Sequence, residues 1–410
     1  MKKLKFLCLA AALTFGGAGS AWADTSLLTE TDGWLKLTAL PDNVADYYFT
    51  IVDNNSDLML SLARGKNQDG AYNGLYYKTS ANPLVDKSML FTLELFDGSY
   101  LMTNAEYNIR FLQTEWNAAH LYRTHDNGGG DNSWGKISFN YADGCWTVQN
   151  AKYPVEDGNY LGVWNDNQAA ANAQELALNK PASMKGVYQI YAILKTTADA
   201  YYDALRAGTG ASEETPLDMT GLIVNPNANF WTGSIPFGWT TTGTQNVNTG
   251  NGYDQFPCIF EYSNWGASNW TGSLKQTITV PNGKYIVKAA FMASEGVTVY
   301  LTSNGSTAQS DALAPIGDAG GNIAPDGTVV GDGAGERGWK YLTLETKVTT
   351  GSIEIGTYAE ANASHCWVNA DNFTLTYLGA DLDILIEGYN NAVAEAKAFD
   401  QSTIKEVAVK

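Results

Sequence analysis

Along most of this chain, apolar and polar positions alternate in short runs broken by turn residues. In "GSLKQTITVPNGKYIVKAAFMAS", Leu274, Gln276, Ile278 and Val280 alternate with Lys275, Thr277 and Thr279. Period two places the first set on one face of an extended strand and the second on the other. Pro281-Asn282-Gly283 then predicts a tight turn, and "KYIVKAAFMA" an apolar return strand. "GVTVYLTSNG", "GWKYLTLETKVTTGSIEIGTYAE" and "WVNADNFTLTYLG" continue the pattern. Residues 217–379 therefore predict about eight strands and a β-sandwich. In the last stretch, simple alternation puts Trp367, Asn369, Asp371, Phe373, Leu375 and Tyr377 on one face, with Phe373, Leu375 and Tyr377 inward. Helical spacing occurs twice, at 197–206 ("TADAYYDALR") and at 382–399, where Leu382, Leu385, Ile386, Tyr389, Val393 and Ala396 form a stripe. The glycines and proline of "AGTGASEETP" end the first helix and mark a boundary, so 196–216 is a helix and linker.

The first half repeats itself. "NNSDLMLSLA", "FDGSYLMTNA" and "EDGNYLGVWN" each set a turn pair before two apolar residues. Leu75 and Leu121 are 46 residues apart, and so are Phe91 and Ile137. Copies covering 47–93, 94–140 and 141–194 each supply about four short strands, too few to bury an apolar face alone. Closed around an axis, they would bury Phe49, Phe91, Ile137 and Tyr188 together. This arrangement resembles a β-trefoil of the ricin-type lectin class. The Gln-x-Trp that such repeats carry is missing; "QTEW" at Gln113 is one residue too long.

Composition sharpens the picture without changing it. Forty-one glycines, 23 tyrosines and 12 tryptophans suit an all-β chain with many turns. The formal net charge is −18, which repels phosphate backbones and makes nucleic acid a poor partner. Lys2, Lys3 and Lys5, the apolar run 6–15 and Ala21-Trp22-Ala23 predict a signal peptide over residues 1–23 and an exported protein. No later run is apolar enough for a membrane span. Cys145, Cys258 and Cys366 are too few for a disulfide framework, although Cys258 and Cys366 could pair.

The second half resembles the galactose-binding-domain-like jelly roll found in many carbohydrate-binding modules. "DMTGLIVNPNANF", "LKQTITVPNGKYIVKAAF" and "WVNADNFTLTYLG" carry that resemblance in order and spacing. The expected fold is thus all-β: a β-trefoil over 24–195, the linker helix, a jelly-roll sandwich over 217–379, and a C-terminal helix over 380–410. The resemblance implies a glycan ligand and a structural calcium ion held by Asp371 with Asn225. Sugar rings present C–H faces to aromatic rings and hydroxyls to planar polar groups. "YSNWGASNW" has that composition, so Trp265, Trp270, Asn264 and Asn269 are candidate ligand contacts, followed by Trp231, Arg337 and Trp339. Trp239, at a turn-to-strand position, is expected in the core.

His365 and Cys366 are chain neighbours, so an extended backbone points them to opposite faces and no nucleophile–base pair forms. No His/Cys set has zinc spacing, and no hydrolase, zincin or P-loop motif occurs. The sequence reading is a secreted, non-catalytic carbohydrate-binding protein, periplasmic, at the cell surface or extracellular in a bacterium. Two alternatives stay open: a structural or adhesive protein that binds other surface proteins, and an accessory part of a glycoside hydrolase.

Overall fold

The computed structural model describes residues 28–398 apart from 57, 65–72, 79–80, 109, 114–120, 124–134, 153–157, 164–175, 233–234, 244, 249–258, 264–266, 305–307 and 310–339. The predicted signal peptide and Cys258 lie outside these residues.

Residues 35–194 form a closed barrel with three hairpins. Six strands make the ring: Tyr47–Asp53, Phe91–Phe96, Ser99–Asn104, Ile137–Ala142, Cys145–Asn150 and Tyr188–Leu194. Tyr188–Leu194 closes it by pairing with both Cys145–Asn150 and Tyr47–Asp53. The three hairpins are Met59–Arg64 with Asn73–Lys78, Phe111–Gln113 with Leu121–Arg123, and Tyr160–Val163 with Leu176–Lys180. Two barrel strands and one hairpin per repeat make a β-trefoil. The repeats meet through Phe49–Phe91, Tyr100–Ile137 and Trp146–Tyr188. Phe49, Phe91, Ile137 and Tyr188 are all buried in one cluster, as closure of three copies around an axis predicts. Asp97-Gly98 and Asp143-Gly144 turn two barrel strands back, each residue at positive φ, which two-residue hairpins require and Asp-Gly tolerates.

The barrel's last strand runs straight into α1, Lys195–Ala207, which ends at Gly208 in the left-handed region at φ 61°. After it, residues 217–377 form two packed sheets. One, six-stranded, runs Gln245–Asn248, Ile259–Ser263, Trp367–Tyr377, Gly283–Ala293 and Lys340–Val348, with Leu217–Asp218 also pairing to Trp367–Tyr377. The other, five-stranded, runs Thr240–Thr242, Trp270–Thr279, Ser352–Ala361, Val297–Ser303 and Ala308–Gln309. Tyr285, Phe291, Val299, Ile355, Phe373 and Leu375 fill the space between the sheets. Trp239 is buried there against Phe373, as expected. The C-terminal helix α2 spans Leu382–Ala398. No described helix is long and apolar enough to cross a membrane.

One departure from the sequence pattern lies in Trp367–Tyr377. Lys288 and Ala290 pair with Thr374 and Asp371, so this strand carries one extra residue. Asn372, at φ 51°, absorbs it as a bulge. The face therefore switches. Phe373, Leu375 and Tyr377 are buried in the core as expected, but so are Val368 and Ala370. Trp367 and Asn369 do not share the face of Phe373.

The two domains meet at a built junction. Tyr107 of the trefoil stacks on Phe230 of the sandwich at 4.5 Å between ring centres and meets Phe237 edge-on at 5.2 Å. Phe230 packs into the trefoil's own core cluster. Beside it, Lys78 and Asp86 form a buried ion pair at 2.9 Å. Burial alone would raise the Asp86 pKa, but Lys78 and the Ser88 N–H and O–H groups outweigh it and hold it below the usual carboxylate range. Asn227 Nδ2 donates to Asp86 across the junction at 3.5 Å.

Candidate functional site

The predicted site residues scatter. Trp265, Asn264, Arg337 and Trp339 lie outside the described residues. Trp231 sits in a short hairpin in register with Pro236. Asn269 is exposed. Trp270 is half-buried, opens the strand Trp270–Thr279 and packs against the sandwich core. Its parity is that of Leu274 and Ile278, which face inward.

The proposed calcium pair does not fit an ion. Calcium takes six to eight oxygens. Asn225 Oδ1 already accepts from Tyr107 Oη and from Phe230 N–H, both at 3.2 Å. Asn225 Nδ2 donates to the carbonyls of Phe230 at 2.7 Å and Phe237 at 3.3 Å. Both ends of the carboxamide are therefore engaged in the domain junction. Asp371 is fully buried, and its Oδ1 accepts the Asn372 N–H at 2.8 Å. Among the described residues no group of three or more His, Cys, Asp or Glu could hold a metal ion. Cys366 is not in a disulfide; its thiol is buried and donates to Glu295 O at 3.1 Å, while His365 is exposed.

A different face of the sandwich carries the features a ligand site needs. On the outer side of the five-stranded sheet, Tyr300 and Tyr358 stand directly opposite each other on adjacent strands. Their rings lie 6.5 Å apart at 28°, and both are half-buried. Side chains of the same parity surround them. Ser273 pairs across from Tyr358, and Thr242 shares a 2.8 Å hydrogen bond with Ser273. Lys275 lies across from Gly356 and reaches Glu354 Oε1 at 3.2 Å. Gly356 is required by close approach: a Cβ there would lie 2.0 Å from Leu274 O. The row from Tyr358 to Glu354 thus crosses bare backbone.

Beyond Glu354 the face opens into a cavity of about 460 Å³ lined by Thr277, Asn304, Lys347, Val348, Thr349, Thr350, Ser352 and Glu354. Its walls are set by short-range geometry. Asn304, in the left-handed region at φ 53°, donates through Nδ2 to Thr346 Oγ1 at 3.1 Å and Lys347 O at 3.0 Å. Lys347 Nζ pairs with Asp381 at 2.6 Å. That contact and burial compete at Asp381; the Lys347 hydrogen bond is the stronger and lowers the carboxyl pKa. Half of the lining residues carry hydroxyls, beside one amide, one ammonium, one carboxylate and a valine, and the volume falls within the range of ligand pockets.

No family model matches the chain, and no curated protein matches it. Among solved structures, TmCBM61, determined with β-1,4-galactotriose, aligns over 38% of this chain and 96% of its own, at 21% identity and a TM-score of 0.26. The Polyporus squamosus lectin, bound to a sialylated epitope, aligns over 34% of this chain and 48% of its own, at 11% identity and 0.25. The CBM22-1 xylan-binding domain from Paenibacillus barcinonensis Xyn10C aligns over 35% and 88%, at 15% identity and 0.22. These structural neighbours are carbohydrate-binding modules and a lectin. The fold assignment itself stands on the strand order and register given above.

The tyrosine face was missed in the sequence because Tyr300 and Tyr358 are distant in the chain and adjacent only through register. The available signal was their parity beside core residues: Tyr300 follows Val299, and Tyr358 precedes Ala359.

Proposed function

We propose that the protein is exported and binds carbohydrate without transforming it, and that the outer face of the five-stranded sheet receives the sugar. One observation carries the reading: a cross-strand tyrosine pair leads along a single face into a hydroxyl-lined cavity. Aromatic faces suit the C–H side of a sugar ring, and the Thr, Ser and Asn groups suit its hydroxyls. The two ends together give an elongated site, suited to a chain of sugar units. Hydrolysis of a glycosidic bond uses two carboxylates flanking it; among the described lining residues Glu354 is the one carboxylate, and it is tied to Lys275. Exposed Asn269, just before the strand Trp270–Thr279 and at its end away from the cavity, extends the proposed contact region to its rim, while Trp270 packs inward on the sandwich core.

The test is a titration of the full chain with neutral polysaccharides beside Tyr300→Ala and Tyr358→Ala. Each substitution should cost about 1–3 kcal/mol of binding, the scale of an aromatic anchor, with the fold intact by circular dichroism. Unchanged affinity in both variants would remove this face from the site. A second reading, a surface protein that docks other proteins, is favoured by α2, which exposes Leu382, Ile386 and Tyr389. It predicts that deleting residues 382–398 abolishes capture of a partner while glycan binding stays.

A further inference from the structure

The charges around the cavity point to a ligand class. Lys347 lines it and is bound to Asp381 at 2.6 Å. Glu354 lines it and is bound to Lys275 at 3.2 Å. The four charged groups are two closed pairs whose sum is zero. Asp381 is buried and so cannot swing away with its lysine, and its other oxygen accepts the Asp383 N–H at 2.9 Å, capping α2. Lys275 and Glu354 project from neighbouring strands of one sheet and are equally shielded, each side chain 29% exposed. A uronate, sulfate or sialic acid carboxylate entering here meets no uncommitted cation among the described lining residues. It also approaches a chain of formal net charge −18, which lowers the local concentration of anions.

We infer that the groove selects uncharged glycans over acidic ones, and that Asp381 and Glu354 set this selectivity by occupying Lys347 and Lys275. The inference rests on the carbohydrate-binding reading and adds the substrate class to it. Neutral hydroxyls can still accept from Lys275 and Lys347 without displacing the carboxylates, because each ammonium has three donors. An anion would have to compete for the same charge.

Two substitutions isolate the effect. Asp381→Asn keeps the helix cap, since asparagine caps as well as aspartate, but frees Lys347. Glu354→Gln keeps the shape of the wall and frees Lys275. The full chain and both variants are titrated with β-1,4-galactan and a β-glucan, each beside the same polymer oxidised at C6 to carry carboxylates, at low and high salt. Wild type should bind a neutral polymer and lose affinity on its oxidised form. The variants should gain affinity for the oxidised form on the order of fivefold, the value of one exposed charge pair, and lose that gain in high salt. Wild type binding the oxidised polymers as tightly as the neutral ones overturns the selectivity and leaves the carbohydrate reading standing. Variants that gain nothing for the oxidised polymers overturn the assignment of Asp381 and Glu354. Failure of every polymer to bind removes both the reading and the inference.

Discussion

At the scale of single residues, several positions are fixed by geometry that allows one kind of side chain. Gly356 has Leu274 O where a Cβ would sit. Gly356→Ala should therefore push two core strands apart and cost about 1–3 kcal/mol, the penalty of overpacking, read as a lower midpoint in denaturant. Asn372 holds a left-handed bulge, and its Nδ2 donates to Tyr341 Oη at 2.8 Å. The buried carboxylates respond to pH in opposite senses. Asp86 has a lowered pKa, so the stability it contributes is full above the ordinary carboxylate range and is lost as pH falls towards its folded value. Glu106 is raised, by burial first and against the pull of Lys87. Its folded form holds the proton more tightly, so its contribution is greatest at low pH and declines as pH rises through the folded pKa. Glu106→Gln should flatten the part of the stability profile just above the usual carboxylate range, while Asp86→Asn should flatten the part below it. Because Asp86→Asn also leaves Lys78 buried without its counter-charge, it should cost about 3–5 kcal/mol at neutral pH, measured by chemical denaturation.

At the scale of elements, the strand Trp270–Thr279 presents two kinds of residue to two environments. Trp270 and Leu274 share the core parity; Lys275 and Thr277 face out. Trp270→Ala should lower the melting temperature, while Tyr358→Ala should lower affinity and leave melting nearly unchanged; calorimetry beside a titration separates the two. How far the sequence revealed such elements depended on the range of the interaction. Period-two alternation located most sandwich strands, and the 46-residue spacing matched Phe91 to Ile137 as equivalent core positions of a repeat, because both signals are local or self-similar. The bulge at Asn372 left no mark on the alternation, since one extra residue shifts the face without altering composition. The tyrosine pair needed the register between Val297–Ser303 and Ser352–Ala361, which no window of sequence contains. Asn225 looked like an oxygen donor for an ion, yet its four hydrogen-bonding positions are taken by Tyr107, Phe230 and Phe237, two of them far along the chain or in a neighbouring hairpin.

At the scale of the whole molecule, the trefoil and the sandwich behave as one unit. The ring stack of Tyr107 on Phe230, the Asn225 carboxamide and the Lys78–Asp86 pair are all buried at their junction. Tyr202 Oη of α1 adds a 2.8 Å hydrogen bond to Leu84 O. Differential scanning calorimetry should therefore show one cooperative transition for the full chain. Tyr107→Ala removes the stack and the hydrogen bond to Asn225 together; it should cost about 3–5 kcal/mol, as other buried large-to-small changes do, and resolve the transition into two. Two transitions already in wild type would show that the junction does not couple the domains.

The same loop, Asn225 to Phe230, also limits what evolution or an engineer can do with either half. Accessory domains are commonly shuffled because a floppy tether asks nothing of its neighbour. Here the sandwich lends an aromatic ring to the trefoil's interior and the trefoil lends a hydroxyl to the sandwich's Asn225. A graft that took one half alone would expose Phe230 or leave a hole beside Tyr107. The transferable piece is the pair, and recombination within this architecture should succeed only where the cut spares both sides of that exchange.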